Sequence, residues 1–149
     1  EGLPNVGYLD AAHALEHSLE VQLPFLQAVL DEFTLVPLVV GDAAPEDVAR
    51  VLDALWGGEE TLIVVSSDLS HYLDYDTARN LDSKTSNLIA SLASTHLGGE
   101  QACGCRAING LVLAARQRGM SAEVIDLRSS GDTAGPRDRV VGYGAYGFS

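Results

Sequence analysis

The residues best suited to chemistry lie at Ser66-Ser67-Asp68-Leu69-Ser70-His71-Tyr72, directly after the apolar, β-branched run Thr61-Leu62-Ile63-Val64-Val65. Such a run reads as a buried strand of a parallel sheet. In open α/β sheets, ligands bind in the crevice beyond the carboxyl ends of the strands. Asp68 and His71 stand three residues apart at that exit. They can share one pocket, the carboxylate orienting the imidazole or each acting alone as acid or base. Ser67 supplies a hydroxyl to line it. A blander reading has Asp68 or Ser70 capping a turn and His71 on the surface. Polar groups gathered at a buried strand's exit are costly unless used, which favours the functional reading.

Cys103, in Ala102-Cys103-Gly104-Cys105, is the second candidate. It precedes a helix predicted from about Arg106 to Gln117. The positive end of a helix dipole favours thiolate, hence a nucleophile or a metal ligand. A small buried apolar Cys is the equal alternative. Cys-x-Cys is not Cys-x-x-Cys, so a thioredoxin-type redox pair is not indicated.

The third is the string H-x-x-E-H from His13 to His17, on a helix predicted over Ala11 to Leu30. Two His four apart on one helix face can hold Zn²⁺ with Glu16 as base, the pattern of inverted zinc metallopeptidases. No third ligand on a later helix is evident, so a zinc hydrolase is the weakest of the readings. Glu16 and His17 remain candidates for lining a pocket. His96 reads as exposed in a Gly-containing loop.

These groups need a scaffold. The 149 residues are 46% hydrophobic and 20% charged, suited to one domain over 1–149 with a real core. Net charge is −12, with eight Arg and one Lys. That acidity argues against nucleic acid or an anionic membrane as the main partner. No run reaches transmembrane length, no signal-peptide pattern opens the chain, and two Cys one residue apart do not suggest a structural disulfide. A reducing cytoplasm is the expected compartment.

Leu15, Leu19, Leu23, Leu26 and Leu30 form the stripe of the predicted first helix, with Pro24 as a kink. Phe33 to Val40 and Thr61 to Val65 are predicted strands, joined by a helix that starts at Pro45, carries Val48, Val51, Leu52 and Leu55 inward and stops at Gly57-Gly58. Together they would make a right-handed βαβ crossover. A helix over about Asp76 to Leu92, with Leu81, Leu88, Ile89 and Leu92 inward, follows the Ser-Ser-Asp segment. Strands at Glu123–Leu127 and Val140–Phe148 close the chain. Alternating glycines in the last one suit close backbone approach. The fold class is α/β, a central, mostly parallel sheet flanked by helices. No Gly-rich phosphate loop supports nucleotide binding.

Several of these stretches carry a resemblance. Glu16-His17-Ser18-Leu19-Glu20 with Leu23-Pro24-Phe25 resembles the E-H-S-x-E-x-x-L-P segment of the Memo family. Ser66 to Tyr72 is similar to its Ser-Ser-Asp segment, Ala102-Cys103-Gly104 with Ile108 to its Cys-Gly segment, and Val141-Gly142-Tyr143 to its closing strand. The resemblance implies a fold similar to the class III extradiol dioxygenases, in which two His and a carboxylate hold non-haem iron. In Memo proteins a Cys takes the carboxylate's place, and Cys103 matches it. His71 matches the acid/base His, with Asp68 beside it. A thiolate shifts metal preference toward copper or zinc, with iron still open.

The family's two metal-binding His lie in an N-terminal half, and neither His13 nor His96 matches them. The expectation is therefore an incomplete, C-terminal portion of a Memo-like fold, or an assembly completed by another chain, with metal not held by this chain alone. An unpaired sheet edge would favour self-association. The resemblance implies either metal-dependent redox chemistry on an unknown small molecule, or a non-catalytic module acting with AMMECR-type and radical-SAM proteins.

Overall fold

A computed structural model describes residues 2–149. Its helices are α1 (Asp10–His13), α2 (Leu23–Val29), α3 (Pro45–Leu55), α4 (Tyr75–Ala90) and α5 (Cys105–Gln117). Its strands are β1 (His71–Leu73), β2 (Ala122–Ser129) and β3 (Val140–Phe148). The protein is α/β, but the sheet is not the expected parallel one. Among the described residues it has the order β1-β3-β2, and both pairings are antiparallel.

The correction has a physical cause. Phe33–Val40 runs exposed along its whole length and joins no ladder. Thr61–Val65 likewise joins none, although Ile63 and Val65 turn inward against the core while Leu62 and Val64 face out. That alternation is a strand's, but a strand is defined by its neighbours, and among the described residues no strand pairs with this stretch. The predicted βαβ crossover therefore keeps its helix and loses its sheet.

The long helix predicted over Ala11 to Leu30 is also broken, into α1 and α2. The Glu16 carboxylate accepts the N–H groups of His17 and Ser18, each at 2.8 Å, which competes with helical bonding there. The leucine stripe finds no core to cover: Leu15 is 95% exposed.

α3 and α5 form the firmest packing. Pro45 sits in the first turn of α3, with Glu46 and Asp47 at the positive end of its dipole. Val48 and Leu52 bury against Leu111 of α5, while Leu55, predicted inward, is exposed. Gly110 lets the two helices touch, because a Cβ there would land on the Val48 side chain. The main cluster lies on the other side of α5, where Ile108 and Val112 meet Leu69, Ile89, Leu97 and Ala102. Each of the Leu, Ile and Val side chains withdrawn from water there contributes about 1.5–3 kcal/mol.

Two details fix the loop leading into α5. Asn109 is buried and grips Leu97 at both ends, Oδ1 accepting its N–H at 2.8 Å and Nδ2 donating to its carbonyl at 3.0 Å. The Gly104 N–H, at the N-cap of α5, donates to Ser67 Oγ at 2.9 Å. The first detail pins the loop to the helix, and the second pins it to the Ser-Ser-Asp segment.

Candidate metal centre

The apolar segment ending at Val65 delivers Ser66 to Ser70 against the N-terminal end of α5. The Asp68 N–H donates to Cys103 Sγ at 3.3 Å, and the Cys103 N–H donates back to the Asp68 carbonyl at 3.3 Å. Ser67 Oγ donates to the same carbonyl at 2.7 Å and lies 3.6 Å from the thiol. Asp68, Ser67 and Cys103 are thus one bonded unit, although 35 residues of chain separate the ends.

His71 completes it. The Leu69 N–H donates to the Gly142 carbonyl and the Gly142 N–H donates to the Ser70 carbonyl, each at 2.9 Å. These bonds bring His71 into register with Val141 of β3. The ring then points back at Asp68, with Nε2 3.3 Å from Oδ2. One carboxylate oxygen, one imidazole nitrogen and the Cys103 sulfur lie within 4.8 Å of one another. Donors bound at about 2.0–2.3 Å around a tetrahedral ion stand roughly 3.3–3.8 Å apart. The His71–Asp68 spacing already has that value, and the sulfur needs to close by at most about 1.5 Å. An O, N, S donor set suits zinc, iron or copper. The His71 and Asp68 side chains are 36% and 49% exposed, so the group opens to solvent.

Tyr72 follows with φ of 62°, a left-handed conformation uncommon outside glycine. Its ring tilts against His71 at 5.6 Å between centroids, and the Arg139 guanidinium lies 4.4 Å from the Tyr72 ring centre. The turn carrying His71 thus pairs with β3, and its Tyr72 ring meets Arg139.

Of the predicted site residues, the structure brings together Asp68, His71, Ser67 and Cys103. It does not bring Glu16 or His17 into the donor group. Glu16 serves its own backbone, and the Ser18 N–H, foremost, holds its carboxyl below the usual range. A few residues on, Gln22 Nε2 donates to Ser66 Oγ at 3.1 Å, so that part of the chain does approach the segment. The H-x-x-E-H zinc site is overturned: α1 ends at His13 and His17 lies outside any helix, so the i, i+4 geometry is not formed. His96 is exposed, as predicted.

The sequence reading missed what lies beneath. Asp82 on α4 is buried, and its Oδ1 accepts the Ser70 N–H at 3.0 Å. Burial pushes its carboxyl above the ordinary range, against the opposing pull of the Ser70 N–H. Burial likewise raises the phenol of Tyr146. No sequence signal separates Asp82, Thr85 and Ser86 from an ordinary solvated helix face.

A small α/β scaffold that gathers Cys, His and Asp donors at the entrance to a helix defines a candidate metal-binding protein. A family profile described as Memo-like protein matches residues 7–146. The chain is similar to a MEMO1 family protein of Archaeoglobus fulgidus, 33% identical over 150 residues, covering 93% of this chain and 57% of the relative. A MEMO1 family protein of Saccharolobus solfataricus is 33% identical over 152 residues, 93% and 54% of the respective chains, and one of Metallosphaera sedula is 30% identical, 94% and 54%. This chain belongs to the Memo family. It spans about half the length of the relatives it matches.

Proposed function

We propose that the chain carries the thiolate and acid–base part of a dioxygenase-like pocket for a divalent or redox metal. The observation supporting this is the convergence of Asp68, His71 and Cys103 donors within 4.8 Å. Cys103 is the metal ligand, its sulfur aligned by the Asp68 N–H. The Asp68 carboxylate orients the His71 ring through Nε2, and with a metal bound the ring is either a second donor beside Cys103 or, through Nδ1, the group that takes or gives a proton. Ser67 lines the approach. A bound iron, copper or zinc ion would supply Lewis acidity or electron transfer to a small molecule. Both cysteines are free thiols, which fits work in a reducing compartment such as the cytoplasm.

The openness of the group favours a second reading. With two donors a third to a half exposed, the pocket does not exclude water as it stands. It then acts as a binding or accessory module, completed by further polypeptide or by AMMECR-type and radical-SAM partners.

Metal content separates the readings. Purified chain is incubated with Fe(II), Cu(I) or Zn(II), desalted and measured by plasma mass spectrometry beside Cys103→Ala and His71→Ala. Near-stoichiometric metal that falls in both variants supports the metal pocket. Metal-free wild type sinks it and leaves the accessory module.

A further inference from the structure

We propose that Asp82 is the positioning residue of this site: its buried carboxylate, seated against Gly142, grips the Ser70 N–H and so fixes where His71 stands relative to Asp68 and Cys103. The inference rests on the proposed metal pocket for its functional meaning, and on geometry of its own for the positioning.

Asp82 is 3% exposed on a face of α4 that also buries Thr85, Ser86 and Ile89. A carboxylate there costs several kcal/mol unless hydrogen-bonded. Its bond goes to the main chain of Ser70, the residue directly before His71. The same short stretch is bonded on its other edge to β3, through Leu69 and Ser70 to Gly142. Gly142 is what permits both at once, since a Cβ there would land on the Asp82 carboxylate. α4, β3 and the His71 turn therefore meet at one three-way junction of Asp82, Gly142 and Ser70. Regular pairing adds little to the turn: β1 is three residues long, its register shifts between His71 and Leu73, and Tyr72 sits at positive φ.

Groups that orient a metal ligand typically matter by 10–100-fold in affinity. The test uses the full chain with Co²⁺ as the spectroscopic probe and the ring C–H signals of His71 by NMR. Asp82→Ala is expected to shift the His71 signals and weaken Co²⁺ binding by roughly 10–100-fold. Asp82→Asn, whose amide oxygen still accepts the Ser70 N–H, is expected to restore both. Unmoved His71 signals in a folded Asp82→Ala overturn the proposal, as does an Asp82→Asn variant that behaves like Asp82→Ala. Should Asp82→Ala fail to fold by circular dichroism, Gly142→Ala takes its place: displaced His71 signals support the junction, and unchanged signals overturn it. If the wild type binds no Co²⁺, the metal pocket falls, while the His71 signals still decide for or against Asp82.

Discussion

Cys103 and Asp68 hold each other by reciprocal hydrogen bonds, main-chain N–H to sulfur in one direction and main-chain N–H to carbonyl in the other. The thiol is thereby aimed by backbone, which substitution of side chains elsewhere does not easily disturb. It is also exposed, whereas Cys105 two residues on is buried at 9% exposure. Native protein treated with iodoacetamide is expected to take one adduct quickly, on Cys103, and the second only in denaturant. Peptide mass mapping checks this, and equal native rates at the two sites would contradict the arrangement.

Ser67 is the bracket between the two segments. Its hydroxyl accepts the Gly104 N–H at 2.9 Å and donates to the Asp68 carbonyl at 2.7 Å. Ser67→Ala leaves that N–H without its partner, at a cost of about 1–3 kcal/mol. The expected outcome is a lower Tm together with faster Cys103 alkylation, because the loop carrying the thiol loosens. A Tm loss with an unchanged alkylation rate would mean that Ser67 serves the fold alone.

Gly110 tests the contact between α3 and α5. Alanine would gain about 1 kcal/mol of helix propensity, but overpacking against Val48 costs about 1–3 kcal/mol. Net destabilisation is expected in urea titrations. Adding Val48→Ala removes the Cγ1 contact but keeps the Cβ contact, so the double variant should be less unstable than the sum of the two singles without regaining wild-type stability. A double variant as unstable as the sum of the two singles would show that the contact is not the cause.

The pH dependence follows from Asp82. Its folded-state carboxyl is raised by burial, so the stability it contributes is fully present below the ordinary carboxylate range and is lost as pH rises through the raised value. Asp82→Asn removes that loss. The Tm of the variant relative to wild type is therefore expected to climb as pH rises above the ordinary carboxylate range, read by differential scanning calorimetry. A difference that is flat with pH would remove Asp82 as the group responsible.

How much of this was legible depended on what each segment needed to become regular. α3, α5, β2 and β3 need little more than their own pattern: Pro45 starts one helix, Gly104 and Gly119 bracket another, and apolar periodicity does the rest. The site was legible for a related reason, since Ser67, Asp68, His71 and Cys103 stand out against apolar neighbours. The 33–40 and 61–65 stretches have strand sequences but no ladder, and nothing local in a sequence says whether a neighbour exists. Asp82 was hidden for the opposite reason. A carboxylate on a helix reads as solvated, and only the approach of Gly142 turns that face into interior.

The two unladdered stretches also make ionic strength a control on colloidal behaviour. Phe33, Val36, Val39, Leu62 and Val64 are exposed on backbone that joins no ladder, where another chain's backbone can pair. Opposing this is a net charge of −12, whose repulsion reaches about 30 Å in 0.01 M salt but only about 3 Å at 1 M. Light scattering should therefore report dispersed chains in dilute buffer and growing particles as salt is added or as pH nears 4.4, where the charge vanishes.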